Sequence, residues 1–204
     1  MVKYFFVSVL AVLIMTAGVI AQDVAAIGKS APGFSLRDVD GKMHNLDDFK
    51  GKYVVLEWIN FDCPFVVKHY SGENMQNLQR EYIEKGIVWL AICSSAPGKQ
   101  GHFDNDEIKK RIKDSKSAMT AYLIDEIGIV GKLYDARTTP HMYIINPDGK
   151  LVYQGGIDDK KSTDKADIPN SKNFVKAALD ELLLGKEVST PTSQPYGCSV
   201  KYSN

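Results

Sequence analysis

Three cysteines carry the chemistry open to this chain: Cys63, Cys93 and Cys198. Cys63 sits in Asn60-Phe61-Asp62-Cys63-Pro64, directly ahead of the segment Pro64 to Lys85. Met75, Leu78, Tyr82 and Ile83 recur there at three- and four-residue spacing, and Gly86 follows as a stop, which predicts one helix. Pro64 suits the first helical turn, where a missing N–H costs nothing. A sulfur at that position meets free backbone N–H groups at the positive end of the helix dipole. This favours the thiolate, which is the reactive form of cysteine. Lys68 and His69, one to two turns on, would add positive potential, and Asp62 would oppose it. The flanks Asn60, Asp62 and Pro64 read as an exposed loop, against the alternative of an inert buried cysteine.

The other two cysteines differ from it. Cys93 closes the apolar run Val88-Trp89-Leu90-Ala91-Ile92 and reads as a small core residue. Cys198 lies in a polar tail next to Gly197, where it could resolve Cys63, link to another chain or be a bystander. An odd count cannot pair completely within one chain. No CxxC occurs, and structural zinc spacings are absent. A Cu(I) site would need Cys63 and Cys198 to converge with His69 or His141. No metal or cofactor is expected.

These residues need a scaffold. Ala31 to Leu36 enters a short strand, and Asp38 to Lys42 forms a hairpin turn. Tyr53 to Trp58, apolar except for Glu57, reads as a buried strand, as does Ile87 to Cys93. Asn105-Asp106-Glu107 caps a charged helix to about Lys116, whose mixed signs suit a solvated face. Ala121 to Ile124 is a strand, and Ile127 to Tyr134 a short helix or helical loop. His141 to Ile145 and Leu151 to Gln154 form a hairpin across Asn146-Pro147-Asp148-Gly149. Gly155 to Lys172 reads as a polar loop, and Asn173 to Leu184 as a final helix with Val175, Ala178, Leu179 and Leu182 on one face. Strands alternating with helices predict an α/β fold with a central mixed sheet flanked by helices. Residues 186–204 read as an easily moved tail. Extended at ~3.3 Å per residue, its stretch from Gly185 to Cys198 reaches ~40 Å.

The bulk properties narrow the setting. Lys+Arg and Asp+Glu are 25 each, so the formal charge is zero and nothing calls for nucleic acid as a partner. Lys3, the uncharged run Phe5 to Ile20 and the site Val19-Ile20-Ala21 form the pattern of a secretory signal peptide over residues 1–21. Export to a periplasmic or extracellular space follows, without stable membrane insertion after cleavage. Disulfides persist in such a space.

Val54 to Pro64 resembles the strand and active-site loop of thioredoxin-like proteins of the alkyl hydroperoxide reductase/thiol-specific antioxidant (redoxin) type. Thr138 to Gly149 is similar to their second signature, in which a cis-proline loop faces the active cysteine. The likeness runs from about Ile27 to Leu184, so residues 22–185 are expected to form a thioredoxin-like domain. Val66 stands where a dithiol thioredoxin has its second cysteine. Leu56 and Asn60 stand where peroxiredoxins carry Pro and Thr or Ser. The closest likeness is to the peroxiredoxin-like subgroup. It implies Cys63 as nucleophile, with Thr139, a cis Pro140 and Pro64 lining the substrate site. Gly197 to Tyr202 also resembles the subgroup's C-terminal ending, and Cys198 is expected as a second catalytic thiol from its place in the tail. His141 and Arg137 are further candidates. The expected reaction is thiol–disulfide exchange on a protein or small-molecule disulfide, with an external thiol as reductant. The alternatives are peroxide reduction through a sulfenic acid and a non-catalytic or Cu(I)-binding module.

Overall fold

A computed structural model describes residues 24–203. The signal-peptide expectation for residues 1–21 lies outside them. The elements run β1 (Ser35–Asp38), β2 (Met43–Asn45), β3 (Val54–Trp58), α1 (Pro64–Ser71), α2 (Asn74–Glu84), β4 (Val88–Cys93), α3 (Asn105–Asp114), β5 (Ala121–Ile124), α4 (Ile129–Leu133), β6 (Thr138–Thr139), β7 (His141–Ile145), β8 (Leu151–Gly155), α5 (Phe174–Leu183) and β9 (Cys198–Ser199). Seven strands form a mixed sheet in the order β2-β1-β5-β4-β3-β7-β8. Strands β3, β4 and β5 are parallel, and β7 returns antiparallel to β3. The fold is α/β and thioredoxin-like.

Period-two alternation sorts the central strands onto two faces. On one face Val55, Ile59, Trp89, Met142 and Ile144 pack with Val66 of α1, Met75 and Leu78 of α2, and Val175 and Leu179 of α5. On the other, Val54, Leu56, Trp58, Leu90 and Tyr143 pack with Val130 of α4 and with Tyr134. Cys63 belongs to the first face.

Three expectations are corrected. The single helix over Pro64 to Lys85 is two helices, because the chain breaks at Gly72 and Glu73. A Cβ at Gly72 would meet the Ile168 side chain at 2.5 Å, and Glu73 has φ 56°. The loop Gly155 to Lys172 is not wholly polar surface. Ile157 and Asp158 are buried, and Lys165–Asn170 forms a 3-10 helix.

The third correction concerns the tail, which is docked rather than loose. Gln154 N–H donates to Pro191 O (3.0 Å), and Ser193 N–H donates back to Gln154 O (3.2 Å). Cys198 and Ser199 then pair antiparallel with Thr139 and Thr138. Val200 N–H reaches Arg137 O (3.1 Å), Ala96 N–H reaches Lys201 O (2.8 Å), and Tyr202 OH reaches Ala136 O (2.7 Å). A polar composition hides this because most of the partners are backbone groups, which any sequence provides.

Candidate active site around Cys63

Cys63 is the N-cap residue of α1, with Pro64 exposed at the start of the helix and Val67 N–H bonded to Cys63 O (2.9 Å). Asn60 shapes the loop before it. Its Oδ1 accepts from Asp62 N–H (2.9 Å) and its Nδ2 donates to Gln100 O (3.3 Å). Asp62 is paired with Arg111 at 2.7 Å, which offsets its charge near the sulfur.

The Thr139–Pro140 peptide bond is cis, and β6 lies against the helix start. The Cys63 thiol donates to Thr139 O at 3.0 Å, and Cys198 N–H points at Cys63 Sγ at 3.4 Å. Pairing of Thr139 with Cys198 thus brings the second cysteine to the first across 135 residues of sequence. All three cysteines are free thiols.

Burial works against ionisation of Cys63, yet its pKa lies below the ordinary thiol value. The Cys198 thiol, Thr139 and the backbone N–H groups of Val66 and Cys198 together outweigh the desolvation. The Thr139 hydroxyl is buried without a hydrogen-bond partner. Burial pushes Cys198 up to about 11, with further contributions from its hydrogen bond to Cys63 and from the Cys63 charge. Of the two, Cys63 ionises first. We predict that Cys63 alkylation will show an inflection below the free-thiol value of ~8.5. Cys93, built into core strand β4 and bonded to Gly101 O, will be the slowest thiol to label, because release of the docked tail uncovers Cys63 and leaves β4 in place. Quenched iodoacetamide labelling across pH, read by mass spectrometry, measures both.

Several sequence expectations change at this site. Cys63 is not on an open loop; it is 0% exposed, because the docked tail covers it. Lys68 and His69 do not face the sulfur. Lys68 donates to Lys160 O (3.0 Å), and His69 lies against Tyr196 (3.1 Å). His141 shares the opposite sheet face with Tyr143, whose hydroxyl is 2.9 Å from its Nδ1. Burial lowers the pKa of both imidazoles to about 4, so both rings are neutral. Neither ring is directed at the Cys63–Cys198 pair, so a Cu(I) site there would lack nitrogen ligands. Among the described residues no group of three or more His, Cys, Asp or Glu is placed to hold a metal. The Arg137 side chain is exposed and bonds Asp135 (3.0 Å); only its carbonyl serves the site, by holding Val200.

Two groups escaped the sequence reading. Glu57, the one charge in its strand, is fully buried and accepts from Tyr70 OH, Gln79 Nε2 and Trp89 Nε1 at 2.9, 3.2 and 2.8 Å. Its isolation in an apolar run was the available signal. Tyr196, two residues before Cys198, is buried too, and nothing local marked it.

Comparison with known proteins accords with this geometry. Thiol-disulfide oxidoreductase ResA of Bacillus thuringiensis subsp. konkukian is 30% identical over 133 residues, covering 65% of this chain and 71% of the relative. The crystal structure of an uncharacterized conserved protein from Geobacillus kaustophilus superposes with TM-score 0.74 at 34% identity, over 87% of this chain and 93% of that one. The thioredoxin domain of a thiol-disulfide oxidoreductase from Bacteroides vulgatus shares the fold, with TM-score 0.51 at 22% identity over 71% and 96% of the two chains. The AhpC/TSA family model matches residues 27–154, a span that holds Cys63, Thr139 and Pro140 and stops short of the tail. With a match of that extent, the chain is a member of the AhpC/TSA family.

Proposed function

We propose that this protein is a thiol–disulfide oxidoreductase in which Cys63 is the nucleophile and Cys198 the resolving thiol. The pairing of Cys198 with Thr139 carries this reading, because it supplies beside Cys63 the second thiol that Val66 does not. The Cys63 thiolate attacks a substrate disulfide R–S–S–R′, forming Cys63–S–S–R and releasing R′S⁻. Cys198 loses its proton and attacks Cys63 Sγ, which releases RS⁻ and leaves a Cys63–Cys198 disulfide. An external thiol reduces that bond and returns both cysteines to the start. Two electrons pass from the cysteine pair to the substrate in each cycle.

The substrate is a polypeptide or small-molecule disulfide. An extended polypeptide fits the backbone groups of β6, which pair here with the tail. Peroxide reduction finds less support. The Asn60 amide is spent on the loop, and no basic side chain bonds to the Cys63 sulfur among the described residues. Export is part of the proposal and rests on the N-terminal pattern; no helix of the described residues is long and apolar enough to cross a membrane.

Oxidised glutathione followed by mass mapping tests the scheme. The parent should form a Cys63–Cys198 disulfide, Cys198→Ser a glutathione adduct at Cys63, and Cys63→Ser neither. An adduct chiefly at Cys93, or a parent that accumulates the Cys63 adduct without closing, overturns it.

A further inference from the structure

Tyr196 makes the most demanding contacts of any tail residue. Its ring is 6% exposed and packs edge-on against Phe65 at 5.8 Å, with Lys68 Nζ 5.8 Å from the ring centre. Its hydroxyl reaches a buried group of charged and polar side chains on α1 and the β8–α5 loop. Asp158, 1% exposed, accepts the hydroxyl proton at Oδ1. His69 Nε2 lies 3.1 Å from the same oxygen, and Asn74 Nδ2 lies 2.9 Å from His69 Nδ1.

These contacts settle the proton arrangement. The amide of Asn74 donates to Nδ1, so Nε2 of the neutral ring carries the hydrogen and donates to the phenol oxygen, whose own proton goes to Asp158. Burial raises the Tyr196 pKa far above its ordinary value, so the phenol keeps that proton. Lys68 Nζ and His69 Nε2 are each 3.9 Å from Asp158 Oδ2, which has no hydrogen-bond partner. Burying these charges is costly unless hydrogen bonds repay the lost hydration, and the Tyr196 hydroxyl supplies one of them to Asp158. On the other side of Tyr196, Gly197 runs so close to Thr139 that a Cβ would lie 2.0 Å from its carbonyl oxygen. Gly197 has φ 140°. Tyr196 and Gly197 together place Cys198 in register with Thr139.

We propose that Tyr196 is a positioning residue: its phenol, latched between Asp158 and His69, holds the tail closed over Cys63 and sets Cys198 against it. The latch rests on the reading of Cys198 as the resolving thiol. It has two effects of opposite sign. It shields Cys63 from bulky reagents, and it speeds attack by Cys198 on a Cys63 mixed disulfide. A substrate larger than the gap at Cys63 reaches the sulfur only when Tyr196 leaves its pocket, so the same residue governs both admission and resolution. His69 lies inside the span of the family match, which ends at residue 154, and Asp158 and Tyr196 lie beyond it.

The test pairs Tyr196→Ala with Tyr196→Phe, and reads two rates in each. The first is labelling of Cys63 by a maleimide-polyethylene glycol, with Cys93 mapped alongside as a reporter of core integrity. The second is conversion of the Cys63–glutathione adduct to the Cys63–Cys198 disulfide. Tyr196→Ala should label Cys63 at least about tenfold faster and close at least about tenfold more slowly, the factor one hydrogen bond to a charged group supplies. Cys93 labelling should stay unchanged, and Tyr196→Phe, keeping the ring without the hydroxyl, should fall between. Parental labelling and closure in Tyr196→Ala overturn the latch. If Cys93 also labels faster in that variant, Tyr196→Phe decides: intermediate rates uphold the latch and parental rates reject it. A parent that forms no Cys63–Cys198 disulfide refutes the resolving role of Cys198, while the labelling rates still judge the latch.

Discussion

Replacing Cys198 with serine is expected to slow turnover on a disulfide substrate by at least about a hundredfold, the advantage of a tethered group over one drawn from solution. Cys63 should accumulate as a mixed disulfide. The order of ionisation explains why Cys198 waits its turn. While Cys63 is a thiolate, burial together with its hydrogen bond and charge holds Cys198 near 11, so Cys198 stays protonated. Once Cys63 is tied up in a mixed disulfide, its charge is gone and that part of the upward shift disappears. Cys198 then ionises more readily, at the moment when its attack is productive. Cys93→Ser should turn over like the parent, since Cys93 bonds Gly101 O and takes no part in the hydrogen bonds around the Cys63 sulfur. Steady-state reduction of an oxidised peptide with a thiol reductant, with quenched samples mapped by mass, measures both. Unchanged turnover in Cys198→Ser would assign resolution to an external thiol.

The second large effect is on stability. Burial raises the Glu57 pKa from 4.5 to about 7, and the hydrogen bonds from Trp89, Tyr70 and Gln79 offset only part of that. A carboxyl group whose folded pKa is raised stabilises the fold fully below its unfolded pKa. That contribution is lost as pH rises from about 4.5 to about 7 and stays lost above. The change corresponds to about 3 kcal/mol at 1.36 kcal/mol per unit. Glu57→Gln should remove this pH dependence and raise stability above neutral pH by a similar amount. The amide can be accommodated: its oxygen accepts from Trp89 and Gln79, and its nitrogen donates to Tyr70 with that hydroxyl turned toward Ser117. Urea unfolding of parent and variant from pH 4.5 to 8 provides the measurement. Parallel curves would show that Glu57 ionises without penalty.

Local features of this chain were legible from its residues. Cys63 before Pro64 marked the start of α1, because capping and proline preference act over a few residues. The buried strands Val54–Trp58 and Val88–Cys93, and the hairpin through Asn146-Pro147-Asp148-Gly149, were legible because apolar runs and turn residues are local signals. Resemblance placed Thr139 and Pro140 opposite the sulfur. The break at Gly72 was passed over, although a glycine within a helical pattern is a local signal; that Ile168 of the 3-10 helix packs where a side chain would stand was not legible, because it comes from far along the chain. His69 and Lys68 looked like charges for the cysteine. A spacing of one to two turns from Cys63 says nothing of the direction of each side chain or of the presence of Asp158. The tail read as loose because its composition is polar, whereas its anchors are backbone pairing to β6 and two tyrosines whose seats lie in other elements. The sequence by itself determined which cysteine begins a helix and which closes a strand, since both follow from neighbours along the chain. Only the tertiary structure decided that Cys63 is covered and that Cys198 is its neighbour. Those facts depend on groups more than a hundred residues apart, which meet only once the sheet has formed.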